Sequence, residues 1–330
     1  MITGYFASTA EMVKLTQSKL LPGIVQEIYE VGQLIPQLPI TTIDSYTLKW
    51  NREGELPVVT AKSKGEQYGW KEVATYSQPT LALKEYGDQW ALAKGAQETY
   101  KDPNDYRAAI QSQIIKGALR TIEDQLIYGD ATTYPKQFDG LDKLCPATGG
   151  HTFAAGYQDY DMGGGTIGLS IKALLGLIHA CKPRPDLLLM PQEIVDQLFI
   201  HAMGKAGAIV MARSPSEFGT MIPSVNGVPI IPSDYLADEN DNTGGKLGSG
   251  NLVSIYAIRK GSVEDGGVSL AVGGSTGGQD FFEVDFFEKL EGYNMEGIRA
   301  YCYVALAMGS PKSVARVHSI NKTIAIDATS

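Results

Sequence analysis

The segment from Asp102 to Tyr128 constrains the fold most strongly, because its sequence predicts one long α-helix. The Asp102 side chain can accept hydrogen bonds from the free amides of the first turn, and Pro103 suits the first helical position. Gly129 follows the last apolar residues and can take the left-handed conformation that often closes a helix. A helix of about 26 residues is roughly 39 Å long. Such a helix needs contacts over a greater length than a small core provides.

The apolar side of this helix changes direction along its length. Its apolar row steps by four residues, and each step turns the row by about 40°, so the row winds roughly 200° around the helix. The two ends of the helix should therefore contact different partners, which predicts a spine across a flat, extended molecule. The row consists of Tyr106, Ile110, Ile114, Ala118, Ile122 and Leu126.

Length and charge bound the class of protein. With 330 residues, of which 43% are hydrophobic, the chain can bury a substantial core in two or three domains. A net charge of −9, from 28 basic and 37 acidic residues, argues against a broad basic face that grips nucleic acid. The first residues do not form a signal peptide, and no stretch of about 18 apolar residues could span a bilayer. We therefore expect a soluble protein, without a membrane partner, that is made and kept in a cytoplasm.

The cysteines carry no sign of a special role. They are odd in number, distant in sequence and without a CxxC spacing, which indicates neither a disulfide framework nor a thiolate zinc site. We expect all of them to be small buried hydrophobic residues. They are Cys145, Cys181 and Cys302.

Two runs of alternating residues, 45–50 and 80–90, each predict a β-strand. They are separated by about 25 mostly polar residues of balanced charge, which indicates a long hairpin arm. Because an isolated two-stranded hairpin is only marginally stable in water, we expect the arm to lie on a neighbouring subunit. The alternative is a solvated loop. The charged residues of the arm are Arg52, Glu53, Glu55, Lys62, Lys64, Glu66, Lys71 and Glu72.

The second half of the chain predicts helices and strands in alternation. A helix from about Ile167 to Cys181 ends before two prolines, a short buried strand follows at 187–190, and Pro191 suits the start of the next helix, to about Ala202. The apolar side of the first of these helices consists of Ile167, Ile171, Leu174, Leu175 and Ile178. The remaining segments predict a turn at Asn226–Gly227 with a brief strand, a polar insertion at 237–251, strands at 252–261 and 268–274, and alternating strand residues at 298–306.

Two glycine patterns match the residue spacing of functional motifs, but the secondary structure predicted around them does not fit those motifs. The residues at 163–168 match GxGxxG before a helix, but we expect no strand directly upstream, as the dinucleotide-binding motif requires. The residues at 273–277, around Ser275, match GxSxG, but a nucleophile elbow requires a helix next and none is predicted. Both patterns therefore indicate glycine-rich loops.

Metal-binding and catalytic patterns are not found either. The four histidines lack any paired-ligand spacing, and the acidic residues after position 233 miss the spacing of a calcium loop and would attract a cation only loosely. No nucleophile, base and orienting residue occur together. We therefore predict no catalytic residue, no cofactor, no metal and no enzymatic activity. The residues considered are His151, His179, His201, His318, Asp234, Asp238, Glu239 and Asp241.

Taken in order, the elements resemble those of a known family. They are an N-terminal arm, a long charged hairpin, a long helix that ends in LIYGD and FDGL segments, a further helix, and the tracts PDLLLMPQE and NGVPIIPSD. This order is similar to that of the tailed-bacteriophage major capsid proteins, whose Hong Kong 97-type fold is shared with encapsulins. The resemblance covers nearly the whole chain and implies an α+β protein. It divides the chain into an N-terminal arm (1–44), an extended-loop hairpin (45–98), a peripheral domain with the spine helix (99–165), an axial domain (166–278) and return strands of the peripheral domain (279–330).

The resemblance also implies a function. A major capsid protein self-assembles as pentamers and hexamers into an icosahedral virion shell that encloses double-stranded DNA without binding it tightly or specifically. It is assembled in the bacterial host cytoplasm, with scaffolding, portal and decoration proteins as further partners. The alternatives are an encapsulin-type compartment shell and, from another class, a nucleotide-using or hydrolytic enzyme built on the glycine patterns. The implied subunit-interface residues are Arg52, Glu53, Glu55, Lys62, Lys64, Glu66, Lys71, Glu72, Lys246 and Ser249.

Overall fold

The computed structural model combines helices with two main β-sheets, in agreement with the predicted α+β class. It describes residues 33–53, 59–70, 76–93, 106–145, 158–163, 167–204, 211–215, 221–236, 238–239, 250–274, 281–288 and 295–326. The α-helices are α1 (Tyr106–Tyr128), α2 (Leu141–Leu144), α3 (Ile171–Ala180) and α4 (Gln192–Gly204). Two 3-10 turns lie at Ile35–Gln37 and Pro311–Ser313.

The described strands are named in chain order. The first eight are β1 (Ile40–Ile43), β2 (Thr47–Lys49), β3 (Arg52–Glu53), β4 (Tyr76–Ser77), β5 (Thr80–Ala82), β6 (Lys84–Ala93), β7 (Asp159–Asp161) and β8 (Leu187–Met190). The last eight are β9 (Met211–Pro215), β10 (Met221–Val225), β11 (Val228–Pro232), β12 (Leu252–Ile258), β13 (Val268–Gly273), β14 (Glu283–Phe287), β15 (Met295–Met308) and β16 (Val314–Asn321).

The first sheet has five strands built around the long strand β15. Its path is β1-β13-β15-β14, and β6 pairs along the other side of β15. Side chains along the first part of β15 alternate between the core and solvent, as in a strand with one buried face. Ile298, Ala300 and Cys302 are buried, whereas Arg299 between them is exposed. The first part of β15 therefore alternates between buried and more exposed residues, whereas residues 304–308 are all buried in the largest core.

The second sheet has seven strands in the order β7-β16-β12-β8-β11-β10-β9. Its strand β8 is fully buried, as expected for an apolar run without alternation. Leu188 and Met190 belong to a core shared with α3 and α4, whereas Leu187 and Leu189 belong to the largest core, which includes residues of the five-stranded sheet. This sheet is thus covered on both faces.

Helix α1 confirms the prediction that its two ends contact different partners. Ile110 and Ile114 pack against Ile298 and Ala300 of β15, whereas the row's last members lie in the largest core. The predicted start at Asp102 and Pro103 lies outside the described residues.

Gly129 ends the helix as predicted, but for a different reason. Among the described glycines, those with a left-handed backbone do not include Gly129. A Cβ atom there would instead overlap the carbonyl oxygens of Phe138 and Gln125. Close approach of the returning chain, not a left-handed conformation, therefore requires glycine at the end of α1.

Three predictions made by local pattern were wrong. Helix α3 begins at Ile171, not near Ile167, because Ser170 is in an extended N-cap conformation and a Cβ at Gly168 would meet the carbonyl oxygens of Ile324 and Ala325. A strand does lie directly upstream of the GxGxxG pattern, since β7 pairs in parallel with β16. Leu175, expected on the apolar side of the helix, is partly exposed.

Strand pairing also differs from the resemblance-based division at two places. Strand β13, assigned to the axial segment 166–278, pairs with β1 and β15 in the five-stranded sheet. Strand β16, assigned to the return segment 279–330, pairs with β12 and β7 in the seven-stranded sheet. After the predicted axial segment, the chain therefore returns to the five-stranded sheet with β14 and β15. It then crosses to the seven-stranded sheet with β16. The division into domains stays a prediction.

Candidate subunit interface

The predicted hairpin arm forms, and its two described ladders share one register. Leu48 pairs with Leu81 in β2 and β5, and Arg52 pairs with Ser77 in β3 and β4. Residues 64 and 65 lie halfway between these partners, and the chain turns there, with Gly65 at a φ of +91°. A positive φ favours glycine because it has no Cβ. The arm is therefore a hairpin whose tip is at Lys64 and Gly65.

The base of the arm is fixed to the protein's own fold. Leu48 and Leu81 pack against the largest core. The Arg52 guanidinium donates to the carbonyl oxygens of Gly309 at 3.0 Å and of Met308 at 3.1 Å, and partial burial lowers the pKa of this guanidinium. Arg52, predicted at a subunit interface, therefore anchors the arm to the end of β15 within the same chain.

At the tip, two of the predicted interface residues pair with each other. The Lys62 ammonium lies 2.8 Å from a carboxylate oxygen of Glu66, and the Ser63 amide donates to the other oxygen at 2.9 Å. The hydrogen bonds from Lys62 and Ser63 lower the pKa of Glu66. Lys64 is exposed at the turn and forms no ion pair with the described residues. The Lys62–Glu66 pair thus shapes the tip and leaves Lys64 as its outward charge.

The arm also carries large exposed apolar side chains, which its pattern of charges did not indicate. Trp70 is fully exposed and Tyr68 is 78% exposed, and all described residues from 59 to 70 are exposed. Aromatic side chains are strong anchors when an interface buries them. The signal in the sequence was the presence of aromatic residues in a polar segment with no core. Among the described residues of the hairpin (45–98), the exposed large apolar side chains are Tyr46, Val59, Tyr68, Trp70, Tyr76 and Trp90.

The other predicted interface residues divide into two groups. Glu53 is exposed on β3, and its place at a subunit interface stays a prediction. The rest lie outside the described residues, as does most of the polar insertion at 237–251. These residues are Glu55, Lys71, Glu72, Lys246 and Ser249.

A second cluster of charged residues lies inside the protein, around Arg316. This side chain is fully buried. Its guanidinium lies 2.6 Å from the Asp142 carboxylate and 3.3 Å from that of Glu239, and it donates to the Ser254 hydroxyl at 3.2 Å. The Tyr128 hydroxyl donates to the other Glu239 oxygen at 3.0 Å. Glu239, expected to attract a cation loosely, is thus a buried partner of Arg316.

Burial and neighbouring charges perturb this Arg316 cluster. Burial raises the pKa of Glu239 above its ordinary value although Arg316 opposes the shift, and burial likewise raises the pKa of Asp142 to about 6. Burial alone would lower the pKa of Arg316, but Tyr256, Glu239 and Asp142 raise it. A guanidinium that is sealed from solvent and held by carboxylates joins chain segments and is not available for a substrate.

His318 is another buried side chain whose contacts the sequence did not reveal. Its Nδ1 atom lies 3.0 Å from the Asp159 carboxylate, and its Nε2 atom lies 3.6 Å from that of Asp161. Both aspartates are on β7, next to β16, so this contact holds a three-residue edge strand in place. His179 and His201 lie on α3 and α4 as predicted.

The described residues offer little for chemistry. Within the ranges given above, no group of three or more histidine, cysteine, aspartate or glutamate side chains is arranged to hold a metal ion. Of the GxSxG pattern, Ser275 and Gly277 lie outside the described residues. All three cysteines are buried and reduced, as expected. No helix in the described part of the chain is both long enough and apolar enough to cross a membrane.

Comparison with known proteins gives a structural answer only. No protein-family model and no curated protein matches the sequence. The structure is similar to the SrpI encapsulin complex from Synechococcus elongatus PCC 7942, with a TM-score of 0.68 and 16% identity over 97% of this chain and 98% of that chain. It is similar to the capsid of the native GTA particle (TM-score 0.65, 10% identity, 94% and 97% covered). The capsid of the Cyanophage P-SCSP1u is a third such structure (TM-score 0.59, 9% identity, 96% and 94% covered). At these identities the likeness establishes the fold.

Proposed function

We propose that this chain, which has the Hong Kong 97-type fold of phage capsids and encapsulins, is a major capsid protein that self-assembles into an icosahedral shell around double-stranded phage DNA. The observation that carries the proposal is coverage. At least 94% of this chain and of each capsid chain is included in the structural match, so the chain corresponds to a capsid subunit along nearly all of the length compared. The exposed arm supports the same conclusion, because its aromatic side chains need a surface beyond their own protomer.

The shell forms through subunit contacts, without catalysis. Pentamers and hexamers place the same chain in slightly different surroundings, and heterologous contacts between neighbours close around symmetry axes. In this proposal the peripheral domain contains the five-stranded sheet with α1, the axial domain contains the seven-stranded sheet with α3 and α4, and the hairpin reaches the adjacent subunit. Assembly takes place in the bacterial host cytoplasm, with scaffolding, portal and decoration proteins as further partners.

One observation favours a second candidate function. The similarity to the SrpI encapsulin is as extensive as that to the capsids, so an encapsulin-type compartment that holds a protein cargo uses the same fold. The two candidates share self-assembly and differ in content. For the alternative of a hydrolytic or nucleotide-using enzyme, the described residues contain no cluster that could hold a metal ion, and Gly165 and Ser275 of the two glycine patterns lie outside those residues.

The test begins with the purified protein and continues with native particles. Analytical ultracentrifugation and electron microscopy should reveal shells, and a chain that remains monomeric at every concentration and ionic strength would contradict self-assembly. Particles recovered with antibodies from the cells that make the protein are then treated with nuclease and opened. Protected double-stranded DNA supports the capsid, whereas a second protein without DNA supports the compartment.

A further inference from the structure

One end of the seven-stranded sheet brings together three basic segments that are distant in sequence. At this end β8 begins, β12 ends and β16 begins. The Lys182 amide donates to the Lys312 carbonyl oxygen at 2.9 Å, and the Arg259 amide donates to the Ser313 carbonyl oxygen at 2.8 Å. The segments 182–186, 259–265 and 310–313 therefore lie side by side. Their basic residues form one basic patch, which consists of Lys182, Arg184, Arg259, Lys260 and Lys312.

The side chains of the basic patch reach solvent. Lys182, Arg184 and Lys312 are exposed, and the other two residues are partly buried. The Arg184 guanidinium lies over the exposed turn between β10 and β11, since one of its nitrogens would be 3.4 Å from a Cβ atom at Gly227. The Arg259 guanidinium donates to the Asp265 carbonyl oxygen at 2.9 Å, a contact that orients its charge without neutralising it. The patch is therefore accessible to a partner.

The carboxylates of these segments do not neutralise the basic patch. Asp186 accepts a hydrogen bond from the Lys260 amide at 2.8 Å, and Asp265 accepts one from the Ser262 hydroxyl at 3.0 Å. Glu264 is the third acidic residue. The ion pairs between described residues involve none of the five cations. Five cations against three carboxylates leave an excess of positive charge here, although the chain as a whole has a net charge of −9.

Main-chain hydrogen bonds hold the backbone under the basic patch. The Asp186 amide donates to the Ile258 carbonyl oxygen at 3.0 Å, and the Val268 amide donates to that of Arg259 at 2.9 Å. A partner therefore has to order only the side-chain ends, which limits the entropic cost of binding.

The arrangement of the basic patch favours an extended polyanion over a single small anion. Its cations are spread over three segments along one surface. Arginine can pair with a phosphate through two parallel N–H donors, and lysine acts as a mobile point charge. Duplex DNA carries one negative charge per about 1.7 Å of its axis, so neighbouring cations can meet neighbouring phosphates. Within the proposed function, the enclosed DNA is such a polyanion.

We propose that the basic patch is the surface through which the shell contacts the phosphates of the enclosed double-stranded DNA, so that this end of the seven-stranded sheet faces the interior. This inference rests on the proposed shell function and identifies the surface that meets the DNA. Five cations can neutralise only a few phosphates, so the contact is weak and independent of base sequence. Such a contact lets DNA slide as it enters and leaves.

Charge removal tests the contact in free subunits. The variant Lys182→Gln/Arg184→Gln/Lys312→Gln should bind duplex DNA about tenfold or more weakly than wild type at about 50 mM salt. The slope of log K against log salt should become shallower by about 0.9 for each phosphate contact removed, or by about 2.7 if all three are lost. Fluorescence anisotropy titrations measure both values, and circular dichroism checks that the variant is folded.

A matched variant separates the basic patch from net charge. Lys116→Gln/Lys136→Gln/Lys172→Gln removes the same charge from three exposed lysines on α1, on the loop after it and on α3. It should keep the wild-type slope. Equal losses in the two variants, or a wild-type subunit that shows no binding at low salt, overturn the proposal.

Cross-linking of native particles tests where the basic patch faces. Formaldehyde joins lysine amines to nearby bases, so Lys182 and Lys312 should form DNA adducts that mass spectrometry detects after digestion. DNA adducts at other lysines with none at these two overturn the proposal. Carbodiimide cross-links from Lys182 or Lys312 to carboxylates of another protein would instead identify an acidic protein as the partner, and also overturn it.

The outcome for the basic patch is separable from that for the shell. If wild type forms no particles, or particles without DNA, the proposed function fails. The titrations of free subunits still decide whether the patch binds duplex phosphates, because they require no assembly. If particles protect DNA but the two triple variants bind it equally, the shell function stands and this inference alone fails.

Discussion

At the scale of single residues, Arg316 joins parts of the chain that are distant in sequence. It contacts Asp142 after α1 and Glu239 at the base of the polar insertion, and lies on β16 itself. Removing one partner of a buried ion pair is costly because the other charge stays buried without compensation. The contributions of Arg316, Asp142 and Glu239 to the free energy of unfolding therefore depend on one another and are not additive.

Arg316→Met should lower the free energy of unfolding by about 3–5 kcal/mol, since Glu239 and Asp142 lose their cation. Adding Glu239→Gln to this variant should recover part of the loss, because one of the two carboxylates left without a cation is then replaced by a neutral amide. Urea denaturation of the unassembled subunit measures both values. Arg299→Met, at an exposed position, serves as the control, and a loss below 1 kcal/mol for Arg316→Met would contradict the role of the cluster.

Asp142 makes the Arg316 cluster sensitive to pH. Its carboxyl has a pKa of about 6 in the folded protein, against an ordinary value of 3.8, with burial as the main cause. Between about pH 4 and pH 6 the folded state therefore binds more protons at this site than the unfolded state, so its contribution to stability falls as pH rises through this window. The shift corresponds to at most about 3 kcal/mol.

Asp142→Asn should remove this dependence. The free energy of unfolding of wild type, measured relative to the variant, should decrease from pH 4 to pH 6 and then level off. Urea denaturation in a series of buffers provides the measurement. A relative stability that is flat or rises over this range would show that Arg316 holds Asp142 ionised throughout.

At the scale of elements, α1 contains two glycines with opposite requirements. Gly117 is exposed inside the helix, and a Cβ there would meet no atom within 4 Å, whereas a Cβ at Gly129 would overlap backbone carbonyls. Gly117→Ala should raise the melting temperature, because alanine favours the helix by about 0.5–1 kcal/mol. Gly129→Ala should lower the melting temperature, because overpacking at this position reduces the free energy of unfolding by about 1–3 kcal/mol. Thermal denaturation followed by circular dichroism distinguishes them, and equal shifts in the same direction would contradict this account.

The hairpin arm is an element of assembly and not of the core. Replacing residues 51–75 with a short turn should leave a folded subunit, because the described part of this segment is exposed apart from the Arg52 anchor. The variant should show an unchanged far-ultraviolet circular dichroism spectrum and sediment as a monomer or small oligomer. Normal shells formed by the variant would contradict an assembly role for the arm.

At the scale of the whole molecule, charge determines how the chain meets DNA. It has 37 acidic and 28 basic residues, and no run of lysine or arginine is longer than two. Proteins that hold duplex DNA by its phosphates release counterions and lose affinity steeply with salt. A shell made from this chain should therefore contain DNA without holding it.

Free subunits should bind duplex DNA no more tightly than the non-specific range of about 10⁻⁴ to 10⁻⁶ M at physiological salt. Fluorescence anisotropy titrations at several salt concentrations measure the affinity. A dissociation constant in the nanomolar range with a steep salt dependence would instead indicate a basic inner face produced by folding.

Elements whose signals lie within a few residues could be predicted from the sequence alone. These include most of α1, the buried strand β8, the start of α4 after Pro191, and the turn at Asn226 and Gly227, where φ is positive at both residues. Periodicity, proline and glycine act locally, so such elements can be predicted without knowing their partners. The order of these elements was also sufficient to predict the fold.

Which distant segments of the chain meet could be seen only in the folded structure. Strand β7 has three residues and gains its place from β16, more than 150 residues away, and the partners of Arg316 come from three separate parts of the chain. The membership of β13 and β16 in opposite sheets and the exposure of Trp70 and Phe286 likewise follow from packing. A strand edge or a buried charge is satisfied by whichever group the fold brings to it, and no local pattern in the sequence specifies that group.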